Sequence, residues 1–190
     1  KTCYIDNLDF RYEVYPSSDE QITLAAFYKH FDSPIEWTYT VAGGTSLVYS
    51  YENARKADSY GLELDIRKSL DFIGLPHFSL SFNGAYIRSR VQFAEGSRFK
   101  DRPMQGQSPY LINTGIFYQH PEWQFTAAVL YNRIGKRIIG VGRSEGSTGS
   151  DDNARVPDSY EMPRDVLDIA LSKQWGGHFE LKFGVRDLLA

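Results

Sequence analysis

Four histidines are the side chains in this sequence best suited to holding a metal or moving a proton near neutral pH. His77, His120 and His178 each flank a short turn-like segment, so they are expected at one rim of whatever the intervening elements build. His30 is expected at the opposite rim. Separation between neighbouring strands should keep these rings from forming a close ligand pair, and solvated interfacial imidazoles are the preferred reading; no metal site is assigned. Ser150-Asp151-Asp152-Asn153, with Asp158, offers oxygens of the kind Ca²⁺ takes. It lacks the Gly and Glu spacing of an EF-hand loop, so a solvated loop is favoured. Serines are abundant, but nucleophilic catalysis needs a Ser, a His and an acid to converge, and no catalytic residue is assigned. Gly43-Gly44 and Gly146-Ser147-Thr148-Gly149 lack the following helix and Lys that would cradle a phosphate. No cofactor is implied.

The remaining polar residues with chemical potential alternate with apolar ones. Glu63, Asp65 and Arg67 interleave with Leu62, Leu64 and Ile66. Ser79, Ser81 and Asn83 interleave with Phe78, Leu80 and Phe82. Asn113 and Gly115 lie between Ile112, Ile116 and Tyr118. Asp168 and Ser172 oppose Leu167, Ile169 and Leu171, and Glu180, Lys182 and Arg186 oppose Phe179, Leu181, Phe183 and Val185. Only a strand sorts residues with period two. Leu8 to Val14, Ile22 to Tyr28 and Phe125 to Tyr131 repeat the pattern, which makes about eight strands and no helix. The polar set Glu63, Asp65, Arg67, Asn83, Asn113, Asp168, Glu180, Lys182 and Arg186 is therefore expected on one common face. For any single charge there, pairing across strands on a wet wall is preferred over a dedicated ligand contact.

The strands run roughly 9–13 residues, longer than the usual soluble strand and suited to a tilted membrane crossing. Their connections alternate. Short turns are predicted at Pro16–Glu20, Asp71–Pro76, His120–Glu122 and Trp175–Gly177. Long polar loops are predicted at Asp32–Ala54, Arg90–Ser108 and Gly135–Met162. All long loops then fall at one end, as in barrels with short periplasmic turns and long outer loops.

Composition is compatible with this reading. Hydrophobic residues make up 42%, an ordinary value that alternating transmembrane strands produce as readily as soluble folds. Aromatics reach 15%, with Tyr15, Phe31, Trp37, Tyr110, Tyr118, Trp123, Tyr131 and Trp175 near strand ends, where interfacial girdles need amphipathic rings. A net charge of −3 gives no basic footprint for nucleic acid. Cys3 is the only cysteine, so no intrachain disulfide framework exists. No apolar run is long enough for a membrane-spanning helix.

Several blocks, in order, resemble one family. Asn7-Leu8-Asp9-Phe10-Arg11-Tyr12-Glu13, Tyr15-Pro16, Phe27-Tyr28-Lys29 and Pro34-Ile35-Glu36 form a strand, short turn and returning strand similar to a block of TonB-dependent receptors. Tyr51-Glu52-Asn53-Ala54, with Ala57 and Tyr60-Gly61-Leu62-Glu63-Leu64, resembles that family's "GxEL" strand entrance. Pro103 to Pro109-Tyr110 with Asn113-Thr114-Gly115, Val166-Leu167-Asp168-Ile169, and Leu181 to Arg186-Asp187-Leu188-Leu189 resemble later barrel strands. The resemblance implies an all-β, antiparallel transmembrane β-barrel, here an arc of about eight strands from a larger barrel of about 22. It implies that residues 1–190 are a C-terminal part of that domain, without the plug and TonB box. It further implies the cell outer membrane, an uptake receptor rather than an enzyme, and a charged face turned to the lumen. Partners would be TonB with ExbB–ExbD through the plug, outer-membrane lipid and an extracellular ligand. Siderophore, cobalamin-like cofactor, glycan and peptide all remain open as ligands.

Two other architectures accommodate the same alternation: a complete small eight-stranded membrane barrel (structural, adhesive or lipid-modifying) and a soluble β-sandwich binding module. Orientation of the faces is testable directly. Leu80→Arg should impair membrane assembly by about 2–4 kcal/mol near the midplane, whereas Ser81→Arg should be tolerated by a wide lumen. Folding yields in bilayers measure both; equal tolerance would reverse the assigned orientation.

Overall fold

The computed structural model describes residues 2–42, 46–95, 101–142 and 157–189. Alternation is realised as long strands: β1 (Tyr4–Val14), β2 (Gln21–Asp32), β3 (Ile35–Ala42), β4 (Ser46–Asn53), β5 (Lys56–Ser69), β6 (Phe78–Gln92), β7 (Tyr110–His120), β8 (Phe125–Ile134), β9 (Arg137–Gly140), β10 (Ser159–Glu161), β11 (Arg164–Trp175) and β12 (Phe179–Val185). Eight of them form one antiparallel sheet in the order β1-β2-β5-β6-β7-β8-β11-β12. β3–β4 and β9–β10 are separate hairpins. They sit inside two of the segments expected to be long loops, which are thus partly extensions of strand structure.

The sheet is open, since β1 and β12 pair with one neighbour each and not with each other. Closure into a small eight-stranded barrel is therefore not what these residues form. A two-layer sandwich is not formed either, because among the described residues no second sheet covers the apolar face. Leu8 (71% exposed), Leu62 (56%) and Phe183 (58%) stand bare on it. Leaving such a face in water would forfeit about 25 cal/mol for each Å² of apolar surface, so it needs a nonaqueous cover.

Register fixes the faces. Directly opposed residues of an antiparallel pair lie on the same side. Leu24 opposes Leu64, and Ile66 opposes Phe82. Phe78 opposes Tyr118, Ile116 opposes Val129, and Leu171 opposes Phe183. The apolar side is thus continuous across the sheet, as the alternation predicts.

Short connections close one end: Tyr15–Glu20, Leu70–His77, Pro121–Gln124 and Gly176–His178. Each stops the ladder for a local reason. In the second, a single 3₁₀ turn at Asp71–Ile73 ends on Gly74, whose φ of 79° a side chain would disfavour. Glu20 ties the first turn to the end of β5, accepting from Lys68 Nζ at 2.8 Å and from the Ser69 amide at 3.2 Å. The Lys68 ammonium holds the Glu20 carboxyl below the usual carboxylate range, against a smaller opposing push from desolvation. On the polar side, Phe27 lies flat over Gly61, directly opposite in register. A Cβ at Gly61 would stand 2.6 Å from the Tyr86 carbonyl oxygen and 2.7 Å from the Phe27 ring, so only glycine fits.

The other end carries the long connections, and two of them are tied together. Arg102 bridges to Val91 by reciprocal backbone hydrogen bonds of 2.7 and 3.2 Å. Its Nη2 donates to Glu36 Oε2 at 2.8 Å, with side chains only 9% and 5% exposed. Its guanidinium sits 5.4 Å from the Phe93 ring centroid, and its buried Nε finds no acceptor among the described residues. Ala54, Ala57 and Val91 form the small buried cluster beneath, with Phe31, Phe93 and Met104 against it. A buried charge stripped of its partner is costly, so Glu36→Ala should weaken this junction by about 3–5 kcal/mol. Limited proteolysis reads the change: cleavage between β6 and β7 should accelerate in Glu36→Ala and less so in Glu36→Gln, which keeps an acceptor.

Candidate functional site

The polar face is where chemistry is concentrated, and the register assembles it row by row. Asp65 opposes Asn83, Asn83 opposes Asn113, and Asn113 opposes Asn132. Because they are directly opposed, their side chains run as one line across β5, β6, β7 and β8. Asn83 Nδ2 donates to Asp65 Oδ2 at 3.4 Å, Asn113 Nδ2 donates to Asn83 Oδ1 at 3.3 Å, and Asn132 Nδ2 donates to Asn113 Oδ1. Every amide donates in the same direction, and the Asp65 carboxylate is the terminal acceptor. Amide ladders of this kind satisfy one another's polar groups and fix their rotamers.

Beside the ladder lies a cavity of about 310 Å³, lined by Asn83, Asn113, Gly115, Phe117, Leu130, Asn132 and Asp168, among others. Gly115 lets Leu130 and Phe117 lie close over the strand there, because a Cβ would stand 2.8 Å from Leu130 and 2.9 Å from Phe117. Asp168 Oδ1 accepts from the Asp187 amide at 2.9 Å, which pins the chain just past β12. A second cavity, of about 360 Å³, lies towards the long-loop end between the strands and residues Met104 and Gln107 of the β6–β7 connection.

The sequence-derived set is largely co-facial. Glu63, Asp65, Arg67, Asn83, Asn113, Asp168, Glu180 and Lys182 all lie on the polar side by register. Arg186 falls beyond the last residue of β12. The residues do not converge on one point: Glu180 and Lys182 sit at the far edge, near the short turns. Cross-strand charge pairing is sparser than expected. Glu180 pairs with Lys182 along its own strand at 3.1 Å and accepts from Ser172 Oγ at 2.9 Å. Asp65 is held by an amide rather than a cation. Sequence reasoning left Asn132 out of the set, although the alternation in β8 put it on this face.

The histidines depart from expectation at one place. His77 and His120 come together, with ring centroids 4.5 Å apart. β6 and β7 are direct neighbours, and His77, at φ 69°, leaves the strand geometry just beyond the last registered pair. His120 also stacks on Trp123 at 4.1 Å, and its Nδ1 accepts from the Trp123 amide at 3.2 Å. That acceptor role leaves Nε2 carrying the proton, the wrong tautomer for a metal at that atom. No group of three or more His, Cys, Asp or Glu placed to hold a metal occurs among the described residues. His30 Nδ1 lies 2.7 Å from Asp58 Oδ1, at the opposite end of the sheet.

Ser150, Asp151, Asp152 and Asn153 lie outside the described residues. Asp158 accepts from the Gly142 amide at 2.8 Å. A G-x-S-x-G spacing occurs at Gly142-Arg143-Ser144-Glu145-Gly146. Ser144 also lies outside the described residues.

Comparison with known proteins agrees with this architecture. The family model described as "TonB dependent receptor-like, beta-barrel" matches residues 4–188. No curated protein sequence matches the chain. Among solved structures, the ferric-catecholate import receptor Fiu from E. coli K12 superposes with a TM-score of 0.67 at 12% identity, over 99% of this chain and 24% of that one. The siderophore receptor PirA from Acinetobacter baumannii gives 0.63 at 14%, over 97% and 27%. The ferric yersiniabactin uptake receptor FyuA from Yersinia pestis gives 0.63 at 17%, over 97% and 25%. The chain thus spans about a quarter of the length of these receptors, and identities this low speak for the fold alone. With almost every residue under the family model and an open antiparallel sheet of matching course, the chain belongs to the TonB-dependent receptor-like β-barrel family.

Proposed function

We propose that residues 1–190 form part of the barrel wall of an outer-membrane transporter that takes up a scarce nutrient actively. The observation that carries this reading is the pairing of an exposed, continuous apolar face with a polar face that bears the Asp65–Asn83–Asn113–Asn132 ladder and the charges Glu63, Arg67, Glu180 and Lys182. Lipid is the cover that the first face needs, and a wet lumen suits the second. Glu63, Asp65, Arg67, Asn83, Asn113, Asp168, Glu180, Lys182 and Arg186 are then wall residues facing the lumen and the plug domain within it. The β3–β4 hairpin and the β6–β7 and β8–β11 connections lie outside the cell, where substrate arrives. The short turns lie in the periplasm.

Uptake needs no bond chemistry from this wall. Energy would come from TonB with ExbB–ExbD, acting through the plug. The substrate would be a siderophore, a cofactor, a glycan or a peptide, the kinds of solute too large or too scarce for passive pores. The ladder Asp65–Asn83–Asn113–Asn132 suits such a wall. Each of its amides is oriented by one cross-strand hydrogen bond and keeps a second N–H that a plug surface can engage.

Detergent extraction of outer membranes tests this. The intact gene product should be recovered there at roughly four times the length of this chain, since the chain covers 24–27% of the matched receptors. It should also bind the purified periplasmic domain of TonB. A stable product of about 190 residues, or one recovered from the soluble fraction, would overturn the proposal.

A further inference from the structure

The cavity beneath the β6–β7 connection has a composition that the wall role does not require. β1, β2, β5 and β6 supply its floor, and Met104 and Gln107 supply its roof. The roof is fixed from several sides. The Met104 amide donates to Ser89 Oγ at 3.0 Å, and the Gly106 amide donates to the Ile138 carbonyl at 2.7 Å. Arg102, two residues before Met104, is locked to Val91 and Glu36. The space is therefore a built recess rather than a gap under a free loop.

Three charged groups line it: Asp9, Lys29 and Glu63. None of them makes an ion pair with another described residue. Lys29 Nζ instead rests 5.7 Å from the Phe27 ring centroid, a weak substitute for a carboxylate. Ala25, Phe27, Phe31, Ile87 and Met104 give the lining its apolar part. Charges of both signs beside apolar side chains in one recess are matched by a ligand that carries both signs and an apolar body itself. At about 360 Å³ the recess is near the lower end of ligand-cavity sizes, which limits the occupant to a small molecule or one moiety of a larger one.

We propose that this recess is a binding subsite for a zwitterionic organic solute, with an ammonium and a carboxylate around an apolar body, as in free amino acids and short peptides. Its carboxylate meets Lys29, and its ammonium meets Asp9 and Glu63. The proposal rests on the reading of this face as a lumen wall and narrows the substrate class within it.

The test is calorimetric titration of the full-length product in detergent with L-phenylalanine, phenethylamine and 3-phenylpropionate. L-Phenylalanine should bind saturably, and each analogue, lacking one charge, should bind about tenfold more weakly. That comparison needs no variant and so survives any folding defect. Lys29→Gln should weaken L-phenylalanine by about tenfold and leave phenethylamine unchanged, while Asp9→Asn with Glu63→Gln should do the same and leave 3-phenylpropionate unchanged. Equal affinity for the three probes, or no saturable binding, overturns the subsite. If the protein still resides in the outer membrane and binds TonB, that result rejects the subsite alone. A soluble product that binds none of the probes rejects the transport reading as well.

Discussion

Everything in this molecule hangs on an unbroken antiparallel hydrogen-bond ladder across eight strands whose side chains alternate with period two. Because successive residues point to opposite sides, one slip of register would move every apolar side chain to the polar face. The pairings show no such slip from β1 to β12: Tyr12 meets Leu24, Leu24 meets Leu64, Leu64 meets Gly84, and the same parity continues to Leu171 against Phe183. The ladder pairs β2 to β11 on both sides and leaves one open edge each on β1 and β12, which the rest of a closed barrel has to pair before the strands can lie in hydrocarbon. It also leaves the side chains free to divide the two environments between them.

That division explains where order comes from in a protein with so little buried core. Among the described residues many large apolar side chains are exposed, and the buried apolar ones are Ala54, Ala57, Val91, Ile138 and Val141. On the polar side, order comes from cross-strand side-chain hydrogen bonds and from aromatic or branched side chains lying over glycine. Phe27 over Gly61 and Leu130 with Phe117 over Gly115 are the same device at two levels of the wall. It brings apolar surface onto a polar face without breaking the ladder: Gly115, Phe117 and Leu130 line the cavity beside the amide ladder, and Phe27 lines the one beneath the β6–β7 connection.

The long connections obey different physics. Their hairpins β3–β4 and β9–β10 are not part of the eight-stranded ladder, and specific contacts tie the connections together: the buried Arg102–Glu36 pair, the Val91–Arg102 bridge, and the Gln105 side-chain amide donating to the Ile139 carbonyl at 2.7 Å. A buried ion pair stabilises little against an apolar alternative, yet it admits few substitutes in geometry. It therefore specifies where the β6–β7 connection folds, and that position roofs the recess above Lys29.

The strands, their faces, the short turns and the co-facial set from Glu63 to Lys182 were legible in the sequence, because alternation and turn chemistry are local properties of consecutive residues. Family membership was legible for the same reason, through strand motifs in a fixed order. What lay beyond reach involves residues brought together without any local rule. The hairpins inside the long loops, the meeting of His77 with His120, the pairing of Glu36 with Arg102 and the infolding of Met104 depend on contacts between segments far apart in the chain or on single backbone angles such as the φ of His77. Period two decides which side of a strand a residue occupies. Only tertiary structure decides which distant residues share that side at the same height, because register and loop docking are set by the sum of many weak contacts rather than by any one stretch of sequence.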